Sequence, residues 1–181
     1  MEYKAGDIIF LSRRKNKRNI IRWAISNSIA LFTRKINENI DDVKVHMAII
    51  YSDKKELIVR ELDRDGIIPI PLNEYINKFK DRIEIVKMPA IQSVMSINAF
   101  NFSCKHSQVE YELINLFVWQ SFRAIFHRWI GTDTPYKRIC SEDVARQYNK
   151  LDYVFLTPEK TNPNDCYIFV KECILKGTIN N

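Results

Sequence analysis

Two short segments carry side chains suited to nucleophilic chemistry. Arg138-Ile139-Cys140-Ser141-Glu142-Asp143-Val144-Ala145-Arg146 places a cysteine where a polar, acid-started helix begins. A helix N-terminus can hold such a thiol as a thiolate, the form that attacks. Val45-His46-Met47-Ala48-Ile49-Ile50-Tyr51 places a histidine inside an otherwise apolar strand, the kind of base a thiolate needs. Lys137 and Arg138 favour the charged sulfur, whereas Glu142 and Asp143 partly oppose it. A third residue, Glu61, follows Leu57-Ile58-Val59-Arg60 near the end of the next strand, where a carboxylate could fix the tautomer of His46. Each residue also has a plain structural reading: a small buried hydrophobe, a core histidine and a solvated strand end. Taken jointly they give a nucleophile on a helix start with base and orienter on neighbouring strands. The chemistry of that set is acyl transfer through sulfur.

Bulk properties narrow the field. The 181 residues read as one domain, 1–181, without repeats, low-complexity tracts or an internal boundary. Only four glycines are present, which argues against glycine-rich phosphate loops. Lys and Arg number 28 against 22 Asp and Glu, a formal charge of +6. That balance allows an acidic partner, such as an anionic membrane or a cell-wall polymer, without requiring one. Cys104, Cys140, Cys166 and Cys173 show no CxxC spacing, against a zinc knuckle or a disulfide framework. No metal or organic cofactor is expected. Neither a secretory signal nor an apolar run of membrane length is seen, so the expectation is a cytoplasmic protein with free thiols. Aromatic RNP motifs, helix-turn-helix turns and zinc-ligand patterns are missing, and nucleic acid is not an expected partner.

The elements that must position the three residues follow from periodicity. Strands are expected at Gly6–Ser12, Val45–Tyr51, Glu56–Leu62, Gly66–Leu72 and Arg82–Met88, with hairpin turns at 52–55 and 63–66. Alternation along 45–51 sets Val45, Met47 and Ile49 on one face and His46, Ala48 and Ile50 on the other. Helical spacing appears over Asn19–Lys35, Asn73–Phe79, from Ile91 through Val94, Ile97 and Phe100, over Tyr111 to about Ile130, and from Cys140. Tyr167–Leu175 reads as a last strand. Strands first and helices after, with an antiparallel meander, make an α+β protein. His106 and His127 lie among polar residues and read as surface positions.

In these pieces and their order the chain resembles the circularly permuted branch of the NlpC-type papain-like cysteine peptidases and amidases, often called YiiX-like. The resemblance is carried by Gly6-Asp7-Ile8-Ile9-Phe10, His46-Met47-Ala48-Ile49-Ile50, Arg60-Glu61, Asp65-Gly66-Ile67, Tyr111-Glu112 and Cys140-Ser141-Glu142-Asp143-Val144, and it spans essentially the whole chain. The order His, Glu, Cys is the permuted one. The resemblance implies a papain-like fold with an antiparallel sheet packed against helices. It implies Cys140 as nucleophile, His46 as general base and acid, Glu61 as the residue orienting His46, and Tyr111 as a tyrosine beside the active site. Family members commonly have Tyr-Asp where this chain has Tyr111-Glu112. The implied reaction is hydrolysis of an amide or ester through a thioester, on small peptide, cell-wall, acyl-amide or lipid substrates. Two alternatives stand beside it. One is an acyltransferase using lipid or amine acceptors, with Asn19–Lys35 and the basic run Arg13–Arg18 resting peripherally on an anionic membrane. The other is a basic binding module without catalysis.

Overall fold

Five stretches of alternating, β-branched residues pair into one antiparallel sheet of order β4-β3-β2-β1-β5. The structure, a computed structural model, describes residues 3–15, 19–34, 38–63, 65–88, 94–111, 137–151, 156–158 and 161–176. The strands are β1 (Ile8–Ser12), β2 (Lys44–Asp53), β3 (Glu56–Asp63), β4 (Gly66–Pro71) and β5 (Ile83–Val86). Two short strands, β6 (Glu110–Tyr111) and β7 (Lys137–Arg138), form a separate parallel pair. The helices are α1 (Ile20–Thr33), α2 (Leu72–Phe79), α3 (Val94–His106), α4 (Cys140–Tyr148) and α5 (Pro163–Lys176).

Alternation along the strands divides the core in two. Phe10, Met47, Ile49 and Tyr51 meet Phe100 and Cys104 of α3, Val144, Ala145 and Tyr148 of α4, and Cys166 and Val170 of α5. From the opposite face Ile9, Leu11, Ala48, Ile50 and Val59 meet Leu72, Tyr75 and Phe79, the inward stripe of α2. Each fully buried side chain of this size contributes about 1.5–3 kcal/mol. Helix α1 stands apart, with Ala30 against Val43 and Val45. Its start is fixed by Asn19, whose side chain accepts from the Arg22 N–H at 3.0 Å.

The turn signals act as expected. Gly6 holds φ +93°, open to glycine without strain, and launches β1. Asp7 then locks the launch: its buried carboxylate accepts from the backbone N–H groups of Lys4 and Met88, each at 3.0 Å. The Tyr148 hydroxyl donates to the Gly6 carbonyl, tying α4 to the same turn.

Two expectations are corrected. The segment Tyr167–Leu175 is not a strand but most of α5. Asn162 accepts from the Asp165 N–H at 2.9 Å and Pro163 opens the first turn, a helix start that outweighs the β-propensity of Tyr167, Ile168, Phe169 and Val170. Cys166 and Val170, four residues apart, then share the buried face. Tyr111 does not begin a helix; it ends β6 and pairs with Arg138. The remainder of the expected 111–130 helix lies outside the described residues.

One buried ion pair joins the two halves of the chain. Arg60 of β3 donates from Nε to Asp143 Oδ2 at 2.8 Å and from Nη2 to Oδ1 at 3.1 Å. Its Nη1 donates to the carbonyls of Cys104 (2.6 Å) and Ser107 (3.1 Å) at the end of α3. Strand β3, the end of α3 and the first turn of α4 therefore share one guanidinium. Asp143→Ala leaves that charge without its carboxylate and is expected to lower stability by about 3–5 kcal/mol, read from urea unfolding. The double variant Arg60→Met/Asp143→Leu should recover a large part of the loss. Equal losses in the single and double variants would contradict the assignment.

Candidate active site

The pairing of β2 sets His46 in an opening. From Ile49↔Arg60 to Asp53↔Glu56 this strand pairs with β3, whereas toward its start it pairs with β1, including Leu11↔His46. The first turn of α4 packs against both β2 and β3, with Cys140 as its first residue. Glu61 follows Arg60 directly on β3, so the strand that grips α4 with one residue presents the carboxylate with the next. Alternation sends Arg60 to the helix side and Glu61 to the side of His46.

The structure brings Cys140, His46 and Glu61 together. His46 Nε2 lies 3.1 Å from Glu61 Oε1. Cys140 lies near enough to the same imidazole for its charge to act on the ring. Glu61 is held in turn by Tyr75, whose hydroxyl donates to Oε1 at 3.0 Å. Cys140 and Glu61 are buried, and the His46 side chain keeps 17% of its surface.

Electrostatics favour the charged imidazole at this point. Burial disfavours the imidazolium, yet the negative sulfur of Cys140, its hydrogen bond and then Glu61 prevail, raising His46 from 6.5 to about 10. Burial likewise works to raise Glu61, but the bond and charge of His46, the Tyr75 hydroxyl and the charge of Lys78 hold its carboxyl below the usual range. Burial, followed by the charge and hydrogen bond of Glu61, keeps the Tyr75 phenol far from ionising, so it stays a donor.

Tyr111 also reaches the site. Burial, then the charges of Cys140 and Asp63, push its phenol well above the usual value. It lines, with His46 and Glu61, a cavity of about 140 Å³ whose other walls come from α1 and from the α2–β5 corner. His106, by contrast, is exposed and stacks on Phe102 with ring centroids 4.2 Å apart. His127 lies outside the described residues. Among the described residues no group of three or more His, Cys, Asp or Glu is arranged to hold a metal ion. No helix among them is long and apolar enough to cross a membrane.

Sequence reasoning missed Tyr75. The available signal was its place with Leu72 and Phe79 on one stripe of α2: a phenol in a buried stripe needs an acceptor for its hydroxyl. It missed Arg60 and Asp143 as a pair because they lie 83 residues apart.

Compared with known proteins, the chain matches no family model and no curated sequence.

The proton on His46 gives a direct test. A pKa raised from 6.5 to about 10 means that the fold binds this proton more tightly than the unfolded chain does. The resulting stabilisation is full below about pH 6.5 and is lost as pH rises through about 10. NMR of the His46 ring should show a midpoint near 10, moving down in Glu61→Gln and in Cys140→Ser. A midpoint between 6 and 7 in the wild type would contradict the charged pair, since that is the unperturbed range.

Proposed function

We propose that the protein is a cysteine hydrolase of permuted papain-like fold, cleaving an amide or ester through Cys140, His46 and Glu61. The observation that carries this reading is the imidazole held between a buried carboxylate and the thiol at the head of α4. The absence of a family match leaves the reading to rest on this geometry and on the order of the segments.

The reaction follows from the atoms. With the proton already on His46, the Cys140 sulfur attacks the carbonyl carbon, and the carbonyl electrons move to oxygen. The first backbone N–H groups of α4, including that of Cys140, have no partner earlier in the helix and suit that oxyanion. Tyr111 is a further donor for placing the carbonyl. Collapse of the adduct expels the amine or alcohol, which takes the proton from His46, and leaves a thioester on Cys140. His46, now neutral, removes a proton from water, and the hydroxide displaces the sulfur to give the acid. Glu61 keeps the ring in one orientation and stabilises its charged form, with Tyr75 steadying the carboxylate.

A second reading keeps the thioester and passes the acyl group to a lipid or amine. It is favoured by α1, which exposes Ile20 (69%), Ile21 (65%), Leu31 (58%) and Phe32 (37%), an apolar flank suited to a lipid surface. Peptide, cell-wall and acyl-amide substrates suit the hydrolytic reading.

Selective alkylation tests the thiolate. Cys140, Cys104 and Cys166 are buried whereas Cys173 is half-buried, so exposure alone would make Cys173 the fastest to react. Burial also pushes the Cys104 thiol up, away from ionisation. With iodoacetamide near neutral pH, Cys140 should nonetheless label first, and His46→Ala should slow it about a hundredfold or more. Labelling in order of exposure would overturn the reading. Mass spectrometry of acyl-enzyme captured from peptide, amide and lipid-ester pools, with Cys140→Ala as control, would identify the substrate and separate hydrolysis from transfer.

A further inference from the structure

Basic side chains lie beside the proposed triad, within reach of the Glu61 charge but, among the described residues, in no ion pair with it. The cavity at His46 and Glu61 also takes in Arg14, Lys78 and Arg82. The same three line a second cavity of about 470 Å³. Their neighbours in the basic run are engaged elsewhere. Arg13 donates from Nη1 to Asn27 Oδ1 at 2.7 Å and from Nε to Asp41 Oδ1 at 2.8 Å, and Lys15 pairs with Asp41 at 3.2 Å.

Arg14 is different. Its backbone is pinned, the N–H donating to Ser26 Oγ at 2.9 Å and the carbonyl accepting from Asn27 Nδ2 at 3.2 Å. Among the described residues its guanidinium has no ion pair. Among the described residues the Arg82 guanidinium gives one hydrogen bond, Nη1 to the Ser12 carbonyl at 2.9 Å, and lies 5.0 Å from the Phe79 ring centroid. Lys78 Nζ lies 4.9 Å from the same centroid. Burial and then the like charge of Arg14 bring Arg82 down to about 10. The nearby acids are Glu61, held by His46 and Tyr75, Asp41, held by Arg13 and Lys15, and Asp63 and Asp81. Among the described residues none of them forms an ion pair with Arg14, Lys78 or Arg82. The first cavity also has an apolar wall, Ile21, Ile25 and Ile29, one stripe of α1 at spacing four.

We propose that Arg14, Lys78 and Arg82 form an anion-binding subsite, selecting acyl substrates that carry a phosphate or carboxylate group beside an apolar portion. The inference rests on the hydrolase reading for the word substrate, and on the cavities and their cations for the binding. Guanidinium groups suit the paired oxygens of either anion, and Lys78 adds a point charge. An incoming anion relieves the repulsion between Arg14 and Arg82, while its apolar portion covers the α1 stripe beside His46.

Calorimetric titration of the full chain with octyl phosphate, octanoate and octanol separates the contributions. At least one of the two anions should bind the wild type about tenfold or more tightly than octanol, with the difference shrinking as salt is added. Arg14→Gln, Lys78→Gln and Arg82→Gln should each remove most of the preference; Lys55→Gln, at the far hairpin turn, should keep it. Lys78 is exposed, so its variant stays informative even where Arg82→Gln disturbs the fold. Whichever anion carries the preference names the group recognised. Octanol binding as tightly as both anions, or a preference that survives all three substitutions, overturns the subsite. Anion preference with an unreactive Cys140 would sink the hydrolase and leave the subsite, and a reactive Cys140 without the preference would do the reverse.

Discussion

A charge removed from water has to be answered inside the protein, and Arg60 shows how much structure one such requirement can organise. Its guanidinium is fully buried and meets a carboxylate and two carbonyls, drawn from the first turn of α4 and the end of α3. A buried ion pair of this kind adds little net stability over a well-packed apolar pair, but breaking it is expensive. Its effect is therefore on arrangement. With Arg60 satisfied, the head of α4 has few alternative positions against β3. Arg138 adds a second cation to the same carboxylate, 3.3 Å from Asp143 Oδ1, and through the β6–β7 pair brings Tyr111 into the same assembly. The registry of the proposed nucleophile follows from an interaction that takes no part in the chemistry.

A second constraint is where the protons reside. His46, Glu61 and Tyr75 form a chain in which each member stabilises the form its neighbour needs: a protonated phenol, an ionised carboxylate, a charged imidazole. In a buried setting each charge left alone would be unfavourable. Cys140 lies close to the same ring. The arrangement is self-consistent only when all four groups are present.

Much of this was legible in the chain itself. Strand alternation identified the five strands of the sheet and the face that carries His46, because a period of two is read directly from neighbouring residues. The helix start at Cys140 was marked by its acids, and His46 and Glu61 stand 3.1 Å apart on neighbouring strands. What stayed hidden were contacts that depend on folding distant segments together. Arg60 read as part of a solvated strand end, since nothing local reveals a carboxylate arriving from residue 143. Tyr75 was not singled out within the short helix expected at Asn73–Phe79. The last element was misjudged for a different reason: Tyr167 to Val170 favour strand locally, and the Asn162–Pro163 start together with packing onto the sheet decided for helix. Tyr111 was assigned to the right neighbourhood but the wrong element.

The separation of the two clamp residues bears on how the molecule matures. Strands β2 and β3 form a local hairpin, closed by Lys54 and Lys55 in left-handed conformation, so imidazole and carboxylate can meet early. The thiol can join them only after a loop spanning the 83 residues between Arg60 and Asp143 has closed, which is a slow and entropically unfavourable event. Until then Cys140 is an ordinary cysteine. On the proposed reading the sulfur meets its base only once that closure is complete, and a growing chain carries a thiol without one.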